Sequence, residues 1–467
     1  MRYLRVIAAI FVASLLPAQA NPQEASVVRE DGYRGIWYMN QPTGDEYAYK
    51  YSGGLGTYCA KHIPMAVHAE KADKTFFVYG GRPKDKNTLL EMVSYFDHKT
   101  GEVPRPVVLI AKGTDDAHDN PVLAIDDDGH IWVFASSHGT ARPSYIFKST
   151  KPYDISGFEQ VLKTNFSYPQ PWWISGQGFL FLHTYYKAGR GLYLQTSKDG
   201  VEWSERTPLA HMEEGHYQVS WPRGNRVGTA FDYHPTAFQG DPKKKGLNWR
   251  TNLYYIETDD MGKTWRTAAG EVVPTPLTDK GGPARVVEYE SQGLLCYVKD
   301  VNYDAEGRPV ILYVTARSWN PGPEGDPRQW RTAHWSGSAW DIRDVTRSDN
   351  NYDSGSLYIE SDSAWRVIGP TETGPQAYNP GGEMAMWLSR DEGVTWTKER
   401  QLTSDSAYNH TYARRPLNAN PGFYAFWADG NARKPSDSRL YFCDKEGKVY
   451  RLPETMESDF AKPIPVE

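Results

Sequence analysis

Apolar and polar residues alternate in short runs along most of the chain, and turn residues separate the runs. Gly191–Gln195, Leu253–Glu257 and Met384–Leu388 are such runs, each leading into a turn that holds Asp and Gly. A period of two places every second side chain on one face, the signature of a strand rather than a helix. The same strand–turn–strand pattern recurs at Ala124–Phe134 (AIDDDGHIWVF), Val301–Val314 and Tyr441–Leu452. Strand pairs are also predicted around Lys74–Gly81 with Leu89–Phe96 and around Gly355–Ile368. No amphipathic helical period competes. Blades of four antiparallel strands, at roughly 40–60 residues each, predict an all-β propeller of seven blades. It forms a single domain from residue 21 to residue 467.

The first twenty residues break this pattern. Arg2 and Arg5 precede an apolar run from Val6 to Leu16, and Pro17-Ala18-Gln19-Ala20 offers small residues at a cleavage point. Residues 1–20 are therefore read as a secretory signal, which predicts a secreted or periplasmic protein. No other apolar run approaches the roughly 20 residues of a spanning helix. The formal net charge is −6 for the whole chain and −8 without Arg2 and Arg5, which argues against general nucleic-acid binding. Neither nucleic acid nor membrane is expected as a partner, and a monomer is expected. Tyr and Trp (31 and 16 residues) suit strands, while 41 glycines and 32 prolines suit turns. Cys59, Cys296 and Cys443 are too few and too odd in number for a disulfide scaffold and read as buried thiols.

Three segments, Thr196–Trp203, Thr258–Trp265 and Ser389–Trp396, share a Ser or Thr, then Asp, Gly and Trp. They resemble the Asp box, or BNR repeat. In such a turn the Asp accepts backbone hydrogen bonds, the Gly takes a positive φ and the Trp packs the turn onto its blade. These acids are structural, which removes them from the catalytic candidates.

Chemistry is instead expected in irregular segments rich in His, Tyr and Arg. These are Asp115–Pro121, Ser136–Gly139, Ala230–Pro235, Gly246–Asn252 and Tyr408–Pro416. His118 and His138 flank one hairpin and so are expected at one end of a blade. The phrases GLGTYCAKHIP, HDNPVLAIDDDGHIWVF, HYQVSWPRG, FDYHP, GLNWRTNLYY, NYDSGSLYIE, GGEMAMW and FYAFWADG are similar to those of the BNR-4 type propeller family. Some of its members are ulvan lyases of polysaccharide lyase families 24 and 25.

The resemblance implies β-elimination at a 4-linked uronate of a sulfated polysaccharide, with ulvan favoured, leaving an unsaturated uronyl end. That reaction needs a base for the C5 proton, an acid for the C4 oxygen, and a group that neutralises the carboxylate. The resemblance implies His118, His138, Tyr233 and Arg250 in these roles. His138 or Tyr233 would take the proton, Tyr233 would return one, and Arg250 with His118 would neutralise the carboxylate. Tyr185, Arg223 and His410 are the candidate substrate contacts. The chemistry requires no cofactor. His234, Cys296 and His334 are candidate ligands of a structural zinc, with buried side chains as the alternative. Lys243-Lys244-Lys245 reads either as a solvated loop or as an attractant for a polyanion. Two rival functions are a sialidase-like hydrolase, suggested by the Arg34-Gly35-Ile36 stretch, and a non-catalytic sugar-binding propeller.

Overall fold

A computed structural model describes residues 27–55, 61–187, 189–360 and 364–466. The expected signal segment and Cys59 lie outside the described residues. The predicted strand pairs are present, and they assemble into seven antiparallel blades among the described residues. Blade 1 runs Ala66–Ala69, Lys74–Gly81, Leu90–Asp97 and Val107–Ala111, and blade 2 runs Pro121–Ile125, Ile131–Ala135, Ser144–Ser149 and Phe158–Thr164. Blade 3 comprises Ser167–Ile174, Gly178–Tyr185, Gly191–Ser197 and Thr207–Ala210. In blade 4, Gln218–Arg223, Arg226–Tyr233 and Thr251–Thr258 are followed by the short strand Trp265–Arg266. Blades 5, 6 and 7 begin at Leu295–Tyr303, Ser356–Ile359 and Asn409–Arg414. Helix is limited to four 3₁₀ turns among the described residues.

The first strand of each blade contacts the first strand of a neighbour through most of the ring, so the first strands are innermost. Blades 7 and 1 close the ring without exchanging a strand. Leu417 N–H donates to Ala66 O at 2.9 Å, His68 N–H donates to Leu417 O at 2.9 Å, and Phe77 stacks on Phe423 at 5.6 Å. Gly35 bridges both Gly81 and Ser438, tying the N-terminal segment across the same seam.

The three Asp-containing turns share one geometry. Asp199 Oδ1 accepts from the N–H groups of Val201 and Glu202, Asp260 Oδ1 from Thr264 and Asp391 Oδ1 from Thr395. In each, the glycine N–H donates to the leading hydroxyl, and the glycine lies at φ 77, 82 or 81°. The first turn is one residue shorter, since Gly200 follows Ser197 by three positions whereas Gly262 and Gly393 follow their partners by four. Each turn also lies over a large apolar side chain. A Cβ on Gly200 would stand 2.4 Å from the Trp132 ring of blade 2, and one on Gly262 3.2 Å from Leu194 of blade 3.

Antiparallel blades give the propeller two distinct ends. The hairpins joining first to second and third to fourth strands share one end, which holds all three Asp turns. The connections between blades and the second-to-third-strand loops share the other.

Gly200→Ala should destabilise the protein by about 1–3 kcal/mol, because the turn needs positive φ and Trp132 leaves no space. Thermal unfolding measures this; an unchanged melting temperature would contradict the packing role.

Candidate active site

Asp116, on the connection from blade 1 to blade 2, organises the inter-blade end of blade 2. It caps a 3₁₀ turn, Ala117–Asp119, by accepting from His118 N–H at 3.0 Å. Its two carboxylate oxygens then divide between two imidazoles. Oδ1 takes His118 Nδ1, and Oδ2 takes His138 Nδ1 at 2.9 Å. The rings stack with centroids 3.9 Å apart and planes 16° apart. A carboxylate accepting from Nδ1 fixes the neutral tautomer, with the lone pair on Nε2.

Burial raises the Asp116 carboxyl, but the hydrogen bonds and charge of His118 and His138 outweigh it and hold the group well below the usual carboxylate range. Burial and the neighbouring His138 push His118 down, so a proton on one ring disfavours a second on the other. His118 is enclosed, with 2 % of its side chain exposed, whereas His138 shows 31 %. His138 is thus the imidazole that can meet a substrate.

Asp119 holds the loop beneath. It is fully buried, accepts His138 N–H at 2.7 Å, and takes Arg142 through Nε at 2.8 Å and a terminal nitrogen at 2.7 Å. Lys112 lies 3.6 Å away. The fork geometry of Arg142 suits a buried carboxylate and locks the backbone of His138.

Blade 3 supplies the facing wall. Tyr186 stands edge-on to His138 with ring centroids 6.0 Å apart, and its hydroxyl approaches that of Tyr168 at 3.5 Å. Arg190 lies over the Tyr186 ring at 5.6 Å and the Tyr217 ring at 6.0 Å. No carboxylate pairs with Arg190 among the described residues. Burial and Tyr217 push the Tyr186 phenol up while Arg190 pulls it down, with the net effect upward, so the hydroxyl holds its proton.

The residues expected from sequence fall into two groups. His118 and His138 come together. Arg250 reaches the same end but lies beneath it, 2 % exposed, enclosed by the rings of Tyr217, Tyr297 and Tyr352 at 4.7, 4.7 and 5.5 Å. It donates to Leu247 O and the Tyr352 hydroxyl, so it supports the site as a buried charge.

The structure places Tyr233 apart from His118 and His138. Strand alternation turns Asp232 and His234 to one face and Tyr233 to the other. There its hydroxyl meets Glu213 at 3.3 Å, Glu290 at 3.5 Å and Lys280 at 3.0 Å. Burial and these carboxylates push the phenol up, opposite to the shift a base requires. Arg223 sits in the first hairpin of blade 4, at the Asp-turn end, where it donates to Ala305 O. His410 is a locked interior group, accepting the Trp427 indole N–H at 2.9 Å and meeting Ser406 at 3.0 Å. Tyr185 faces away from Tyr186, into a cleft with Tyr193 and Arg206.

The expected zinc ligands also separate. Cys296 pairs with Thr315, whereas His334 pairs with Val310, five residues along the same strand. At about 3.3 Å per residue this offsets them by some 16 Å along the strand direction, and a whole strand lies between them. His334 bonds Asp304 at 2.8 Å, and His234 lies 3.2 Å from Asp232. Among the described residues, the His/Cys/Asp/Glu group compact enough for a metal is Asp116, His118 and His138, whose Nδ1 atoms already serve the carboxylate. Arg34, the rival-reading arginine, pairs with Glu30 and Asp31.

Tyr186 and Arg190 were not among the sequence candidates. The signal was available: both lie in the second-to-third-strand loop of blade 3, the loop equivalent to that carrying His138.

The model of the BNR repeat-containing family matches residues 82–348, more than half of the chain. The chain belongs to this family. Among its relatives, the ulvan lyase of Alteromonas sp. (strain LOR) is 23% identical over 445 residues, covering 83% of this chain and 84% of that one. The ulvan lyase of Nonlabens ulvanivorans is 24% identical over 70% of this chain and 74% of its own. A solved polysaccharide lyase PL25 ulvan lyase superposes with a TM-score of 0.71 at 17% identity, covering 89% of this chain and 96% of that one. A second structure of a PL25 ulvan lyase, bound to -[GlcA(1-4)Rha3S]-, gives a TM-score of 0.70 at 17% identity, covering 91% and 97%. At that identity the structural match carries the propeller fold of this family member.

Buried histidines give this family member a pH signature. Burial lowers His62 and His234 to about 3 and His216 to about 4. Unfolded histidines titrate near 6.5, so above that pH neither state binds the proton. As pH falls below it only the unfolded chain binds, and each histidine should cost about 1.4 kcal/mol per pH unit until its folded value is reached. Urea unfolding at pH 7.5 and pH 5 should show a steep loss at the lower value; equal stabilities would contradict neutral burial.

Proposed function

We propose that this protein is a polysaccharide lyase that cleaves a uronate-containing sulfated polysaccharide, ulvan foremost, by β-elimination. The observation that carries this reading is the convergence of His138, Tyr186 and Arg190 at the inter-blade end of the propeller. They supply a part-exposed imidazole whose Nδ1 is held by Asp116, a phenol that keeps its proton and an arginine without a carboxylate partner among the described residues. The relatives named ulvan lyases, and the bound -[GlcA(1-4)Rha3S]- of one PL25 structure, support the substrate class.

The roles follow from protonation. Arg190 pairs with the uronate carboxylate and lets carbanion-like charge at C5 spread onto it. Arg250 adds positive potential from beneath. His138 Nε2 takes the C5 proton while Asp116 steadies the imidazolium through Nδ1. The C4–O bond breaks, a C4=C5 double bond forms, and Tyr186 passes its proton to the departing oxygen. His138 then loses its proton to solvent and Tyr186 regains one. His118, enclosed and neutral, positions His138 by stacking. The apolar N-terminal segment supports export, which suits an enzyme whose polymer is too large to enter a cell.

His138→Ala and Tyr186→Phe should each lower kcat on ulvan by about 10²–10⁴-fold, read by ultraviolet absorbance of the unsaturated product. Tyr233→Phe should stay within a few-fold of wild type. Full activity in the first two, or loss confined to the third, would overturn the assignment.

Lys243 and Lys245 are exposed in the second-to-third-strand loop of blade 4, at the same end, while Lys244 packs over Trp249 at 5.2 Å. Replacing Lys243 and Lys245 by Ala should lower kcat/KM at low salt, with the difference vanishing at high salt. A salt-independent difference would contradict steering.

A further inference from the structure

Blade 3 carries a cleft on its flank, of about 760 Å³, between its outer strands and the outermost strand of blade 2. The volume is in the range of small-ligand sites. Tyr185, Tyr193 and Trp203 supply its aromatic walls, and Lys187 and Arg206 its cations. The Tyr185 and Tyr193 rings meet edge to face, 5.8 Å apart at 90°. Arg206 lies over Tyr185 at 4.3 Å and is anchored by donation to Asn165 O at 2.7 Å. Among the described residues neither Lys187 nor Arg206 forms an ion pair, and Glu205, which also lines the cleft, bonds to neither. Rigid half-buried aromatics beside unpaired cations fit a ligand with apolar ring faces and anionic substituents.

The position of the cleft indicates what occupies it. Tyr185, the last residue of its strand, and Lys187 flank Tyr186 in sequence, and both line the cleft whereas Tyr186 faces His138. A chain that crosses this loop from the site therefore has the cleft beside it. We propose that the cleft is a remote subsite for the same polymer, holding a uronate- or sulfate-bearing oligosaccharide several residues from the bond that breaks. This rests on the lyase reading for the identity of the polymer. Such a subsite strengthens the binding of long chains by tethering them and leaves short ones unaffected.

The test separates binding from turnover. Electrophoresis through gels containing soluble ulvan, with all variants in a His138→Ala background, reports binding alone. Lys187→Ala/Tyr193→Ala should reduce retardation several-fold, Lys187→Ala alone should reduce it in the same direction at an exposed site, and Tyr193→Phe should retain it. In the active protein, Lys187→Ala/Tyr193→Ala should raise KM for the polymer and leave kcat/KM for an ulvan tetrasaccharide unchanged. Undiminished retardation of both Lys187→Ala variants would overturn the subsite. Retardation without any ulvan turnover by the wild-type protein would instead overturn the lyase reading and leave the cleft a binding site.

Discussion

One carboxylate fixes two imidazoles, and the candidate chemistry depends on it. Asp116 draws the Nδ1 protons of His118 and His138 to its two oxygens, which sets both tautomers and brings the rings to 3.9 Å. Two neutral rings can stack at that distance, and two cations would repel strongly. Exposure makes His138 the ring that a substrate can reach. Asp116 can do this because Asp119 and Arg142 hold the loop from below with a fully buried carboxylate paired to a guanidinium fork.

The propeller turns this local geometry into a site. Its two ends separate structural acids from chemical groups. Asp199, Asp260 and Asp391 spend their oxygens on backbone N–H groups at the hairpin end. The inter-blade end gathers His138 from blade 2, Tyr186 and Arg190 from blade 3, and Arg250 from blade 4. The tyrosines around Arg250 keep a buried cation acceptable through their ring faces and one hydroxyl.

The fold was legible because it rests on local signals. Alternation marks strands, and an Asp, a positive-φ Gly and a Trp mark a turn whatever surrounds them. Parts of the site were legible for the same reason: His118 and His138 flank a short hairpin, so their adjacency follows from strand length. What the sequence concealed depends on parity and direction. Tyr233 differs from Asp232 and His234 by one position, and that step moves it to the opposite face. Tyr185 and Tyr186 differ likewise, and the step exchanges a flank cleft for the candidate site. Arg223 lies ten residues from Tyr233, at the far end of a hairpin whose orientation only the assembled ring reveals. The expected zinc ligands are separated by register, since Cys296 and His334 flank one strand from its two sides, opposite residues five positions apart along it.

The most direct measurement is a crystal structure of the His138→Ala protein with an ulvan tetrasaccharide bound. The account predicts the uronate carboxylate on Arg190, with the C4 oxygen at the Tyr186 hydroxyl and C5 facing the vacated imidazole position. A uronate carboxylate bound instead at Tyr233 and Lys280, with Tyr186 and Arg190 untouched, would contradict it.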